Sequence, residues 1–224
     1  APLSSDLFYQ FKQTFGFEIL ERYGLTETIM NVSNPYRGKR KPGSIGFPLT
    51  GIEIRMVNKD GSATERGKVG EITVKGPNVF KGYWRRPEAT EKILKDGWMY
   101  TGDLGYQDQE GYIHIAGRAK DLIITGGFNV YPREVEEVLS AHPAVKEAVV
   151  VGIPDKIKGE LVKAYVVMFD SSSGDNQIEE NLISYCKKQL ANFKVPRKLE
   201  FVQSLPRTAS GKVITRLLPN LNSS

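Results

Sequence analysis

The sequence has few of the features that would settle a function at once. One cysteine, Cys186, stands among 224 residues, so an internal disulfide framework is excluded. Cys186 shares a helical apolar face with Leu182 and Leu190. There a lone thiol reads as a small hydrophobic filler rather than a nucleophile. No apolar run approaches the roughly 18 residues expected of a membrane-crossing helix. No charge of one sign dominates: the formal net charge is +5. The lysines and arginines are scattered and form no nucleic-acid reader motif, so a nucleic-acid partner is not expected. A mildly basic chain still suits anionic ligands. The longest basic cluster, Arg37 to Lys41, is broken by Gly38 and reads as a solvated loop. No secretory leader is expected at the start. The chain opens on Ala1-Pro2-Leu3 without methionine, and so reads as a fragment or a trimmed product.

What is present supports two domains. A hydrophobic fraction of 40% is ordinary for a packed core, and the length allows one large domain or two small ones. The organising stretch runs from Tyr100 to Leu139. Up to residue 119 the pattern is short strands and turns, expected to form a small β-barrel or a strongly twisted sheet. From Lys120 to residue 224 strands alternate with helices. The joint Arg118-Ala119-Lys120-Asp121 is expected to be a hinge, with one chemical site built from two moving pieces.

In chain order, Leu7, Phe8, Phe11 and Phe15 recur at helical spacing behind Ser4 or Ser5 as a cap. Phe17 to Leu20 reads as a short strand. Ile52 to Val57 ends at the turn Asn58-Lys59-Asp60-Gly61, and Val69 to Lys75 is the next strand. Phe80 to Arg86 holds Tyr83 and Trp84 as packing aromatics. Pro87 opens a short helix. Leu104 to Gln107 and Tyr112 to Ala116 form a hairpin, with His114 structural. Beyond the joint, Leu122 to Thr125 is a strand. Tyr131-Pro132 opens a helix with Val135, Val138 and Leu139 on one face. Val145 to Ile153 and Leu161 to Phe169 are strands, and Ser171 to Asp175 is a polar loop. Ile178 to Leu190 is a helix and Lys198 to Gln203 a last strand. This βαββαβ order describes a small α+β domain.

Three places carry candidate chemistry. After Phe17 to Leu20, Gly24 lets the backbone approach a ligand. Thr26 offers a hydroxyl, and Glu27 a hard oxygen of the kind Mg²⁺ takes beside substrate phosphates. A polar turn with a capping threonine is the alternative. Asp103 follows Thr101-Gly102 in a turn, where an ionised acid can accept hydrogen bonds from a sugar diol; a plain turn-former is the alternative. Lys212, after Ser210-Gly211 in a mobile loop, can reach another domain's site, or it is a surface lysine. The spacing is not that of a Walker phosphate loop.

Taken together these blocks resemble the adenylate-forming superfamily of acyl-CoA synthetases, carrier-loading adenylation domains and luciferases. The matching stretches are Tyr23 to Glu27, Tyr100 to Asp103, Gly117 to Asp121 with Gly126-Gly127-Phe128, and Pro206 to Lys212. Within it the chain is most similar to the malonyl-CoA synthetases, through Glu21 to Gly24, Thr26 to Thr28, Asn31 to Tyr36, Pro77 to Trp84 and Ile124 to Tyr131. The resemblance implies ATP, Mg²⁺ and CoA as cofactor and co-substrates, and a small carboxylic acid as substrate. It implies that Tyr23 lies against adenine, Thr26 touches phosphate and Glu27 binds Mg²⁺. Asp103 and Arg118 would hold the ribose. Lys212 would serve adenylation, and Lys120 would be the hinge. Gly126 and Gly127 would line the CoA tunnel. Arg22 is the residue expected to meet a second carboxylate, since a guanidinium fork fits such a group. The family's Ser/Thr/Gly-rich phosphate loop is absent. The chain therefore reads as the end of the large domain with its β-barrel, the hinge and the small α+β domain of a cytoplasmic ligase. A fatty- or aryl-acid ligase, a carrier-loading adenylation domain and a non-catalytic nucleotide-binding module stand as rival readings.

Overall fold

The computed structural model describes residues 3, 5–169, 176–209 and 211–220. Ser4 as a cap, the loop Ser171 to Asp175 and Ser210 lie outside the described residues. The chain divides into two compact units, residues 2–120 and 121–224.

The first unit begins with helix α1 (Ser5–Phe15). The strand expected over Phe17 to Leu20 does not form. The chain pairs slightly later, in β1 (Arg22–Tyr23), β2 (Val32–Ser33) and β3 (Phe47–Pro48), an antiparallel three-stranded sheet. Strands β4 (Glu53–Val57) and β5 (Gly70–Lys75) follow, then helix α2 (Pro87–Ile93), β6 (Leu94–Lys95), β7 (Trp98–Gln107) and β8 (Ile113–Arg118). They form a five-stranded sheet in the order β4-β5-β7-β6, with β8 also on β7. Of the two forms expected, the pairing gives the open sheet: no closed barrel forms among the described residues. Val32, Ile45, Met56 and Ile113 make a core cluster against which Tyr23, Ile54 and Ile115 pack.

Strand β7 corrects one reading. Thr101-Gly102-Asp103 is not a turn but lies inside this ten-residue strand. On β5, Thr73 faces Tyr100 and Glu71 faces Leu104. Residues 101–103 are therefore a bulge, which is where turn-forming residues are tolerated within a sheet. The alternation of β7 buries Met99, Thr101 and Asp103 on one face.

The Arg37 to Lys41 loop is also not simply solvated. Lys39 and Lys41 pair with Glu110, and Lys41 also with Asp108, in the β7–β8 turn. His114 is structural: it bridges Asp108 (3.0 Å) and the Gly43 carbonyl (3.1 Å) and stacks on Tyr106.

The second unit comprises β9 (Ile123–Thr125), β10 (Phe128–Val130), helix α3 (Pro132–Ser140), β11 (Val145–Asp155), β12 (Gly159–Met168), helix α4 (Asn176–Gln189) and β13 (Lys198–Phe201). Strand β10 is an addition to the expected βαββαβ order. Pro132 occupies the first turn of α3, where its missing N–H costs nothing. The sheet runs β10-β9-β12-β11, with β13 parallel to β12. Both faces of the central pair are covered. Val150, Val162, Ala164 and Val166 pack with Leu139, Leu182 and Cys186. Val149, Tyr165 and Val167, on the opposite face by strand alternation, pack with Leu205 and Leu218. Cys186 is fully buried, and its desolvation lifts the thiol to about 11. That is the filler role its spacing implied.

Candidate functional site

In the first unit, residues distant in sequence converge on Asp103. The register sets Asp103 opposite Arg118 across β7 and β8, and Arg118 Nε lies 2.7 Å from Asp103 Oδ1. Tyr23, 80 positions earlier, donates its hydroxyl to Asp103 Oδ2 at 2.6 Å. The Asp103 backbone N–H is held by Thr101 Oγ1 at 3.0 Å. Asp103 is only 5% exposed. Burial pushes its carboxyl above the usual range, while the Tyr23 hydroxyl and the Arg118 guanidinium pull it back. The Tyr23 phenol is raised, first by its own desolvation and then by the Asp103 charge, so it stays a neutral donor. Each Asp103 oxygen accepts one bond and keeps a lone-pair site for another donor. The arrangement is a fixed, desolvated acceptor pair with a half-exposed guanidinium beside it.

The segment around Glu27 is built against a second stretch. Gly24 has a closer duty than meeting a ligand. A Cβ there would sit 1.9 Å from the Ile29 carbonyl oxygen, so only glycine lets the 24–29 turn fold on itself. Ile29 has φ +56°, a strained setting for a β-branched residue. Neighbouring bonds hold the turn in place. Asn78 Nδ2 reaches the Thr28 carbonyl (2.6 Å) and Asn31 Oδ1 (2.9 Å). The Phe80 N–H donates to the Glu27 carbonyl at 2.8 Å. Tyr83 Oη donates to Glu27 Oε1 at 2.6 Å. Reading Tyr83 and Trp84 as packing aromatics is thus only half right: Tyr83 packs edge-on against Phe80 but is also a hydrogen-bond donor to the candidate metal ligand, and Trp84 is 85% exposed. Only a long-range contact makes Tyr83 matter, so its spacing carried no signal.

Glu27 is the one acid the sequence offered as a metal ligand. Among the described residues no group of three or more His, Cys, Asp or Glu could hold an ion. A single half-buried carboxylate with one oxygen already fixed fits Mg²⁺, which takes one or two carboxylates and completes its shell with phosphates and water. Thr26 and Arg22 are exposed. Arg22 sits on β1 opposite Ser33.

Lys120 lies exposed in a 3₁₀ turn, Ala119–Asp121, at the sequence boundary of the two units. In the second unit Gly126 and Gly127, both at positive φ, form the two-residue turn between β9 and β10. This is the hairpin geometry that glycine pairs favour. Lys212 is exposed. Thr208 and Lys212 are bonded to one another: Thr208 N–H donates to the Lys212 carbonyl (2.8 Å) and Lys212 N–H to Thr208 Oγ1 (3.1 Å).

Known protein families match both parts of the chain. The AMP-binding enzyme family matches residues 1–84, and the AMP-binding enzyme C-terminal domain matches residues 134–212. The long-chain-fatty-acid–CoA ligase of Bacillus subtilis is 44% identical over 220 residues, covering 97% of this chain and 39% of that protein. The 2-succinylbenzoate–CoA ligase of Geobacillus kaustophilus is 43% identical over 208 residues, covering 92% of this chain and 42% of that protein. The crystal structure of ATP-bound MatB from Rhodopseudomonas palustris superposes with a TM-score of 0.92 at 46% identity, over 100% of this chain and 44% of that one. The chain spans about two fifths of the length of the curated relatives it matches.

Proposed function

We propose, from the premise that this chain belongs to the adenylate-forming superfamily of AMP-binding enzymes, that it is part of an ATP-dependent acid–CoA ligase. The observation that carries the reading is the buried Asp103 carboxylate held between Tyr23 and Arg118. It is a rigid acceptor pair suited to a ribose diol. In the first half-reaction a substrate carboxylate oxygen bonds to the α-phosphorus of ATP and pyrophosphate leaves with the broken bond's electron pair. In the second, the thiolate sulfur of CoA bonds to the acyl carbon, and AMP departs with the electron pair of the broken acyl–oxygen bond.

Asp103 and Arg118 orient the sugar, and Tyr23 fixes Asp103 from the adenine side. Lys212 supplies a positive charge to the acyl carboxylate and α-phosphate, where two anions must meet. Glu27 would hold Mg²⁺, which supplies charge neutralisation at the phosphates. A rotation about Lys120 exchanges Lys212 for the Gly126–Gly127 turn between the half-reactions, because hinges concentrate φ/ψ change in a few residues. A cytosolic setting belongs to the same reading. No helix among the described residues is long and apolar enough to cross a membrane.

The acid is a small dicarboxylate, malonate or methylmalonate. Arg22 supports this, since it is exposed and has no ion-pair partner among the described residues. A guanidinium there rewards a second carboxylate and does nothing for an alkyl chain. The 44% identity to a long-chain-fatty-acid–CoA ligase is the observation behind a second reading, a ligase for a monocarboxylic fatty acid.

The test is acid-dependent pyrophosphate release by the full-length protein that carries this chain, with malonate, methylmalonate, acetate and a long-chain fatty acid. Preference for malonate, lost in Arg22→Ala, supports the first reading. Preference for the fatty acid selects the second. Silence with every acid removes both.

A further inference from the structure

The turn carrying Lys212 is more heavily braced than an exposed lysine loop requires. Its stem closes through a bridge between Arg207 and Val213 and a 2.8 Å bond from the Ile214 N–H to the Pro206 carbonyl. Val213 packs against the cluster of Val149, Tyr165, Val167, Leu205 and Leu218, so both legs of the stem are rooted in the core. At the tip, Gly211 N–H returns to the Thr208 carbonyl at 2.9 Å. One side chain then ties tip to sheet. Arg207 Nη1 donates to the Gly211 carbonyl at 2.7 Å, and its Nη2 pairs with Glu147 Oε2 on β11.

We infer that Arg207 is a positioning residue for Lys212: its guanidinium joins the turn's tip to Glu147, so that the second unit presents Lys212 on a rigid arm. This rests on the reading that Lys212 serves adenylation. The guanidinium is the group suited to this task. Its planar fork makes two bonds in fixed directions at once, whereas a lysine ammonium is a point charge on a flexible stem. The pair is partly exposed, at 42% and 30% of the two side chains, so its direct contribution to stability is small. Its effect lies elsewhere. A carbonyl fixed next to Lys212 restricts the backbone from which the ammonium must reach the reacting phosphate. Ordering completed before the transition state does not have to be supplied during it. Delivery of Lys212 then depends on movement of the whole unit and not on searching by a loose loop.

The experiment uses the full-length protein and three readouts. These are pyrophosphate release, thioester formation from supplied acyl-adenylate, and hydrogen exchange at the Gly211 and Lys212 amides. Arg207→Ala and Glu147→Gln should each slow the first about tenfold, a loss typical of a misplaced catalytic group. The second should stay within about twofold, and amide exchange should quicken. Arg207→Lys, which keeps charge without the fork, should behave like Arg207→Ala. On a Lys212→Ala background Arg207→Ala should add nothing further. Unchanged adenylation and exchange in Arg207→Ala would overturn the proposal. So would a defect in Arg207→Ala that Glu147→Gln does not share, because Arg207 would then be meeting substrate directly. If Lys212→Ala itself spares adenylation, the underlying reading of Lys212 fails, and that result is distinct from either of the others.

Discussion

In residues 2–120 the Asp103 cluster is locked inward, while Arg22 and Thr26 stand exposed. Asp103 is 5% exposed and bonded on both oxygens by residues from two other strands. In residues 121–224 the candidate chemistry is carried outward, with Lys212 and the Gly126–Gly127 pair all exposed at the ends of turns whose roots are buried. The difference suits a division of labour. A site that must recognise the same nucleotide throughout gains from desolvated groups that hold one another in place. Groups needed in only one of two steps gain from standing on rigid projections that a single movement can bring or withdraw. The contrast makes an experimental demand: changes at the Asp103 cluster should cost stability and function together, and changes at the tips of the second unit should cost function alone.

Lys212→Ala should produce the largest effect. Removing one preorganised positive donor from a developing charge typically costs about 10²–10³ in rate, so pyrophosphate release by the full-length protein should fall by about that factor. Thioester formation from supplied acyl-adenylate should survive. Because the side chain stands in solvent, the unfolding free energy should shift by no more than about 0.5 kcal/mol. A large stability loss would break the contrast at its clearest point.

Glu136 is the exception inside the second unit, and it sharpens the comparison. Its Oε1 accepts the Val150 N–H at 2.9 Å. Burial lifts its carboxyl to about 7, helped by Glu137 and Asp121 and opposed by the Val150 bond and Arg133. The folded chain therefore holds this proton to a higher pH than the unfolded chain does. Its contribution to stability is full below about pH 4.5 and declines as pH rises, being lost above about pH 7, a change of about 3 kcal/mol. Glu136→Gln keeps an acceptor for Val150 and does not titrate. In urea unfolding at pH 5 and pH 8 the variant's advantage over the parent should grow by about that amount at the higher pH. An advantage that is the same at both would mean that Glu136 is ionised throughout.

Asp103→Ala should cost about 1–3 kcal/mol, because the desolvated Tyr23 hydroxyl loses its acceptor; the half-exposed Arg118 guanidinium turns to water and adds little. Nucleotide affinity should fall with it. Unfolding midpoints and ATP calorimetry on the same variant would check both. Loss of affinity with unchanged stability would make Asp103 resemble the tip residues and remove the contrast from the other side.

These differences also mark what the sequence could and could not reveal. Helix α3 was readable because Pro132 and the apolar spacing of Val135, Val138 and Leu139 are local signals. Burial of Cys186 followed from the same kind of periodicity. Asp103 is a candidate from its own setting, and Tyr23 and Arg118 are candidates through the family resemblance; their mutual bonds cross up to 80 positions and leave no periodic trace. Thr101-Gly102-Asp103 was misplaced because a bulge inside a strand uses the same residues as a turn. The strand expected over Phe17 to Leu20 alternates correctly, yet no strand among the described residues pairs with it. Strand β10 is three residues long, too short for alternation to register.

Tyr83 is the residue that local pattern could not identify, and it sets the smallest expected effect. Its hydroxyl is the donor to Glu27 Oε1, and that bond to an acid raises the phenol's own pKa. Tyr83→Phe removes the donor while keeping the ring that packs edge-on against Phe80 at 4.9 Å. The Phe80 N–H would still hold the Glu27 backbone, so the turn should persist and only the carboxylate should gain freedom. One hydrogen bond of this kind contributes about 1 kcal/mol net. Half-saturating Mg²⁺ at fixed ATP should therefore rise about fivefold, with kcat at saturating Mg²⁺ nearly unchanged. In the parent protein, Mg²⁺ with ATP should also perturb the tyrosine absorbance, and part of that signal should vanish in Tyr83→Phe. If Mg²⁺ dependence is unaltered and the spectrum unmoved, the backbone bond from Phe80 alone orients Glu27. The first unit's inward locking would then end at Asp103, and the Glu27 side chain would be as free as the exposed groups of the second unit.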